Sequence, residues 1–230
     1  MTTLGTGGAH VIDVILPVLD EEEALPVVLG RMPAGFRAIV VDNGSTDESA
    51  RVARELGALV VSEPRRGFGS ACWAGLQAST SDVVAFMDAD ASLDPRELLA
   101  VCGPIVAGDV DLMLGARCAD DGAWPWHAQM ANRFLATQVR RRSGVLVTDI
   151  GPMRSAHREA LLGLHLQDRG FAWPLEMVLK AGRAGWLVGE CPVRYSPRIG
   201  RSKVTGTVRG TMRASRDMGR LLRDTSVVAA

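Results

Sequence analysis

The 230-residue chain is long for one average domain and short for two, which predicts a single domain with an elaborated C-terminal part. A hydrophobic fraction of 47%, 23% charged residues and a formal net charge of zero fit a water-soluble globular protein and exclude a generic nucleic-acid binder, which needs a broad basic surface. The zero hides an uneven distribution, because Arg194 to Arg223 holds nine Lys or Arg against the single acid Asp217, while the rest of the chain is correspondingly acidic.

The first nine residues carry neither a basic region nor an apolar run, so no secretory leader is expected. A short β-rich run, VIDVILPV, covers 11–18 and leads into Asp20, Glu21, Glu22 and Glu23. Helical spacing follows over 22–32, then a strand at 38–41 ends at Asp42. Ser45, with Glu48 three residues on, predicts the N-cap of a helix over 45–56. A third strand is expected at 59–61. It is followed by the Gly-rich basic loop Arg65-Arg66-Gly67-Phe68-Gly69-Ser70, which opens a helix over 69–78 suited to a phosphate or ribose at its N-terminus. The fourth strand, VVAFM at 83–87, runs straight into Asp88-Ala89-Asp90. Strand and helix alternating at this pace predict parallel βαβ units, whose ligands bind beyond the carboxyl ends of the strands. Three acidic clusters fall at those ends.

Beyond Pro95 the spacing predicts a helix over 96–107, a strand over 110–115 leading to Arg117, and a helix over 124–139. A short strand with a turn follows at 145–153, then a helix over 176–184 and a strand over 186–195. No run approaches the roughly 18 apolar residues that span a bilayer, so a cytoplasmic protein, at most peripheral on the inner face of the membrane, is expected. Cys72, Cys102, Cys118 and Cys191 form no CxxC pair and are expected as free thiols; the four histidines have no metal-ligand spacing. Trp124 and Trp126 are expected to pack or to lie at the surface, where the WPW segment is placed to meet a lipid chain or a sugar face.

Asp88 and Asp90 are the central feature. Hard divalent cations take oxygen ligands, and Mg²⁺ is typically held by one or two carboxylates together with substrate phosphates. Such a metal offsets the charge that develops on a departing diphosphate. Asp42 and Asn43, at the end of their strand, present a carboxylate and an amide edge able to read a nucleobase.

In order and spacing, ILPVLDEEE, VVDNGSTDES, RRGFGSACWAGL, FMDADASLDP, LMLGAR and RIGRSKV resemble the family 2 inverting glycosyltransferases of the GT-A fold, in particular the dolichyl-phosphate mannose and polyprenyl-phosphate glucose synthase branch. The likeness runs from about Val11 to Val204. It implies a Rossmann-like α/β domain over 1–205, with a nucleotide-sugar half at 11–117 and an acceptor half with a closing loop at 118–205; a basic helix and tail follow at 206–230. By position it implies that Pro17, Leu19 and Glu21 line the nucleotide pocket and that Val41 and Asn43 meet the base, with Gly67 on the adjoining loop. Asp88, Ala89 and Asp90 would bracket the diphosphate and a Mg²⁺ or Mn²⁺ ion, Asp90 being the direct ligand and Ser92 a further oxygen. Arg117 matches a phosphate-contacting arginine. Ser202 and Lys203 match the SK pair of the closing loop, and Arg198 its arginine. Asp149 resembles the family aspartate at that position, with a structural turn as the alternative reading. Arg154 is read either as meeting a second phosphate or as solvated, and Glu176 as a hydrogen-bond partner behind the site.

The sequence departs from the pattern at Asn43, where the family usually has an acid, and at Gln129, where relatives often have a basic residue. Its closing loop is also slightly shorter. The expected partners are a UDP- or GDP-linked sugar and a polyprenyl phosphate. A soluble hydroxyl acceptor, a non-catalytic nucleotide-sugar binder, peripheral membrane contact and a homodimer stay open beside them. Arginines at 209, 213, 216, 220 and 223 form one stripe of a C-terminal helix, read either as a membrane-docking element or as the solvated side of a packed helix.

Overall fold

The alternating run of β-branched residues at the start of the chain forms the strand β1 (Ile12–Val18), and it is buried on both faces. Ile12, Val14, Leu16 and Val18 point into one hydrophobic cluster and Ile15 into another, on the opposite side of the sheet. Burial on both faces is the condition of a parallel strand covered by helices. The computed structural model describes residues 11–200 and 208–223.

Seven strands form one sheet in the order β3-β2-β1-β4-β6-β5-β7. They are β1, β2 (Phe36–Asp42), β3 (Leu59–Ser62), β4 (Val83–Phe86), β5 (Leu112–Ala119), β6 (Arg154–His157) and β7 (Val188–Tyr195). β6 is antiparallel to both neighbours, β4 and β5, and the other pairings are parallel. The remaining strands therefore share one direction, and their carboxyl ends lie along one edge. The opposite edge holds a cavity of about 550 Å³ beside Arg37, Asp82 and His157, away from every motif acid.

The helices are α1 (Leu25–Gly30), α2 (Ser49–Glu55), α3 (Phe68–Ala78), α4 (Leu98–Ala107), α5 (Trp126–Ser143), α6 (Arg158–Gly163), α7 (Trp173–Arg183) and α8 (Val208–Arg223). α1, α2 and α4 cover one face of the sheet; α3, α5 and α7 cover the other. Proline in the first turn of α1 and of α7 suits a position whose N–H has no partner in the helix. α4 and α5 end on Gly108 and Gly144 in the left-handed conformation. α3 lies close on the sheet because it carries Gly75, where a Cβ would come within 2.4 Å of Ile15 Cγ2.

The mainly parallel α/β sheet agrees with the expectation, and two local readings are corrected. Residues 145–153 form no strand; the strand is β6, just beyond, held in register by β4 and β5. Ser45 does not cap a helix. Its Oγ accepts from Asp20 N at 3.0 Å and its N–H donates to Asp42 Oδ1 at 2.9 Å, so these groups shape a turn and α2 starts only at Ser49. Finally, α8 turns Leu221, Met218 and Leu222 onto the core, and its Asp217 accepts from Phe171 N. Arg216, Arg220 and Arg223 are exposed, as in the packed-helix reading; Arg209 and Arg213 fall outside the described side chains.

Candidate active site

At the carboxyl edge, β4 ends two residues before Asp88, and two backbone positions there are strained. Asp20, after β1, has φ 54° and Ala91, next to Asp90, has φ 61°. Left-handed geometry outside glycine costs on the order of 1–3 kcal/mol and collects at functional loops. Ala91 turns the chain so that Ser92 faces back on Asp90.

Asp90 is buried, and its Oδ1 accepts from both the N–H (3.0 Å) and the hydroxyl (2.5 Å) of Ser92. Ser92 thus orients Asp90, to which its hydroxyl proton is committed. Asp90 Oδ2 lies 3.2 Å from Arg198 Nη1, and Arg198 Nη2 donates to Glu21 Oε1 at 2.6 Å. Arg198 therefore ties the end of β1 to the end of β4. Asp88 is half-buried, and loss of solvent, then the neighbouring Asp90 charge, push its carboxyl up to about 7 against the pull of Arg117, Arg198 and Arg154. Two carboxylates that repel in this way, one hydroxyl-braced, suit a hard divalent cation. Among the described residues no cluster of three or more His, Cys, Asp or Glu could hold a metal by itself, so phosphate oxygens would have to complete the shell.

Arg117 leaves β5 toward the same space. Its Nε and Nη2 donate to Asp149 Oδ2 (2.8 Å) and Oδ1 (2.7 Å), and its backbone N–H donates to Oδ2 at 2.9 Å. The Trp124 ring covers the guanidinium at 3.8 Å and Tyr195 lies at 5.5 Å. Burial works against the charge on Arg117, but Asp149 more than offsets it and the guanidinium stays protonated. Asp149 accordingly fixes the direction of the Arg117 guanidinium. Arg154, on β6, is buried and not solvated; it donates to the carbonyls of Pro174 (3.1 Å) and Gly151. Burial lowers it to about 10, while Cys72, Asp88 and Asp149 favour its charge. It places a fixed cation behind Asp88.

Two groups missed in the sequence hold the segment around Asp149. Glu190, on β7, accepts from Thr148 N, Thr148 Oγ1 and Asp149 N at 2.8–3.0 Å. Asn132, on α5, donates to Thr148 O and accepts from Ile150 N. Glu176 does the same work further back, accepting from Gln167 N and Asp168 N.

On the nucleotide side, Pro17, Leu19 and Glu21 lie at the end of β1, beside the end of β2. Val41 is fully buried in the core and contributes no side chain to a pocket, and Ala89 is likewise buried. The Asn43 amide donates to Glu63 O and Arg65 O (2.8 Å each) and accepts from Gly67 N at 2.8 Å, so it pins the 63–67 loop. The Val41 side chain is therefore not placed to meet a base, and the Asn43 amide is already engaged. Asp42 Oδ1 accepts from Ser45 N, while Oδ2 has no partner among the described residues, which makes Asp42 the base-reading candidate at this strand end. The N-terminus of α3 is no phosphate cradle either: Gly69 N donates to Gly170 O and Ser70 N to Arg169 O. Gly67 is required there, because a Cβ would meet Arg169 O at 2.1 Å. Ser202 and Lys203 lie outside the described residues.

Residues 13–163 match the family model described as Glycosyl transferase family 2. The uncharacterized glycosyltransferase Rv0539 of Mycobacterium tuberculosis is 46% identical over 213 residues, covering 92% of this chain and 97% of that protein. Polyprenol monophosphomannose synthase of Mycolicibacterium smegmatis is 30% identical over 218 residues, covering 84% of this chain and 81% of the synthase. The crystal structure of glucosyl-3-phosphoglycerate synthase from Mycobacterium tuberculosis with Mg²⁺ and uridine diphosphate shares the fold, with a TM-score of 0.76 at 24% identity over 95% of this chain and 79% of that one.

Proposed function

Because this chain belongs to glycosyl transferase family 2, we propose that it moves a hexose, with inversion, from a UDP- or GDP-linked sugar to a polyprenyl phosphate. Asp88 and Asp90 would hold Mg²⁺ or Mn²⁺, which supplies Lewis-acid stabilisation of the departing diphosphate. Arg117, with Nη1 left over from its pair with Asp149, points a donor at phosphate. Arg198 gives up Asp90 and turns to the diphosphate, joined by Ser202 and Lys203 of the closing loop. Pro17, Leu19, Glu21 and Asp42 line the nucleotide side.

The observation that carries the phosphate acceptor is the state of Asp149. A hydroxyl acceptor needs a general base, and the aspartate at the family position has both oxygens committed to Arg117. A phosphate is already anionic and needs none. The 30% identity to a polyprenol monophosphomannose synthase supports the same acceptor class. A soluble phosphate-bearing acceptor would meet the same arginines, and the fold shared with glucosyl-3-phosphoglycerate synthase keeps that reading in the test.

The test is a transfer screen with UDP-glucose and GDP-mannose, with Mg²⁺ or Mn²⁺, offering polyprenyl phosphate, 3-phosphoglycerate or a neutral alcohol. The expected product is a polyprenyl-phosphate sugar formed only with metal. Transfer to the neutral alcohol at an equal rate would refute the argument from Asp149.

A further inference from the structure

We propose that the outer face of α5 docks the protein on an anionic bilayer surface. Trp126 is 73% exposed, Met130 59% and Phe134 58%. They recur every four residues, so on a helix of 3.6 residues per turn they line one strip about 80° wide. Asn132, Ala136 and Val139 take the buried side of the helix. Scattered exposed apolar side chains are ordinary, but a contiguous strip of a tryptophan, a methionine and a phenylalanine marks an interaction surface.

The charges on the helix identify what covers it. Arg133, Arg140 and Arg141 are exposed and fall within or beside the strip, and α5 contains no Asp or Glu. Apolar side chains flanked by arginines, with a tryptophan at one end, are the composition of a helix lying in the plane of a lipid headgroup layer. Each arginine near such a surface gains from anionic lipid in a salt-dependent way. A two-fold dimer through the same strip would bring together two arginine-bearing helices with no Asp or Glu on either to pair them, so a second copy is the poorer occupant. α8 is the poorer candidate, because its Met218, Leu221 and Leu222 pack on the core while Arg216, Arg220 and Arg223 face outward.

The helix starts two residues after Trp124, the ring that covers Arg117. Docking through α5 would therefore hold the arginine end of the site at the lipid surface, where a lipid-linked phosphate arrives. That role rests on the proposed function; the docking itself does not.

The test is flotation of the full chain with vesicles of phosphatidylcholine alone and of phosphatidylcholine mixed with phosphatidylglycerol, at low and high salt. The expected result is binding to the mixed vesicles that weakens with salt. The triple variant W126S/M130S/F134S should lower the partition coefficient at least about tenfold. R140Q/R141Q should weaken binding and flatten its salt dependence, and Leu99→Ser, an exposed position on α4, should change nothing. Because the substituted side chains are exposed, the variants should melt as the parent does. A wild-type chain left unbound, or a triple variant that floats like the parent, overturns the proposal. So does a dimer, seen by light scattering, that the triple variant dissolves while vesicle binding is nil. Vesicle binding without sugar transfer would remove the proposed function and leave the docking face standing; transfer to a soluble acceptor without vesicle binding would do the reverse.

Discussion

Removing Arg117, Asp149 or both distinguishes a positioning role for Asp149 from a chemical one. The two side chains share a bidentate pair and are only 15% and 4% exposed. Arg117→Ala removes a charge-assisted donor from a closed site, which costs about 2–4 kcal/mol, or roughly 30- to 1,000-fold in turnover. Asp149→Ala leaves Arg117 without its anchor and should cost a similar factor. If Asp149 acts only through Arg117, the double variant is no slower than Arg117→Ala alone. A free base would contribute its own factor of about 10²–10⁴, and the two losses would multiply. The assay is kcat/KM for sugar transfer in all four proteins, with thermal melts alongside. Stability gives a second readout, because breaking a buried pair from one side costs about 3–5 kcal/mol and removing both charges costs less. The double variant should therefore melt above at least one of the single variants. A double variant slower by the product of the single factors would refute the positioning role.

Asp90→Ala should abolish metal-dependent turnover and should cost more than Asp88→Ala; near-normal turnover at saturating Mn²⁺ would remove Asp90 from the metal site. Lys203→Ala should lower kcat by about 30- to 1,000-fold if that side chain meets the leaving diphosphate, as single-turnover kinetics would show. Asp13, fully buried on β1, accepts from Arg37, Thr80 N and Ser81 N. Burial would raise its carboxyl, but these partners win and hold it below the usual carboxylate range. Its stabilisation is then complete above the unfolded value of about 3.9 and is lost as pH falls through the lower folded value. Asp13→Ala strands the Thr80 and Ser81 N–H groups and should lose about 1–3 kcal/mol in urea melts at pH 7, with the gap to the parent narrowing in strong acid.

Periodicity makes the edge of the sheet legible and leaves the roles along it obscure. β1, β2 and β4 stand out because burial on both faces demands mostly apolar runs, and the same runs place Glu21, Asp42 and Asp88 at their ends. β6 escapes notice because Arg-Ser-Ala-His has little strand character of its own; pairing with β4 and β5 on either side imposes it. Roles within the site are hidden for another reason. Spacing tells which side chain leaves the sheet at its end, but not which atoms already have partners. Asn43 gives both amide hydrogens to the carbonyls of its own loop, and Ser92 gives its hydroxyl proton to Asp90. Glu190 and Asn132 reach the Asp149 segment across 41 and 18 residues of sequence, beyond any local pattern.

The three arginines around Asp88 and Asp90 differ in how firmly each is held, and this assigns their tasks. Arg117 has two nitrogens on Asp149 and a ring over its face, so its direction is fixed before any ligand arrives. Arg154 is sealed under the sheet edge on backbone carbonyls and contributes only field. Arg198 is different: it bridges Glu21 and Asp90 across two loops, and its buried Nε has no hydrogen-bond partner among the described residues. A guanidinium with one donor unsatisfied, shared between two carboxylates, is the group that loses least by changing partners. In the proposed site the fixed pair would set the geometry around the phosphate, and Arg198 would supply the part that exchanges when Asp90 takes up other ligands.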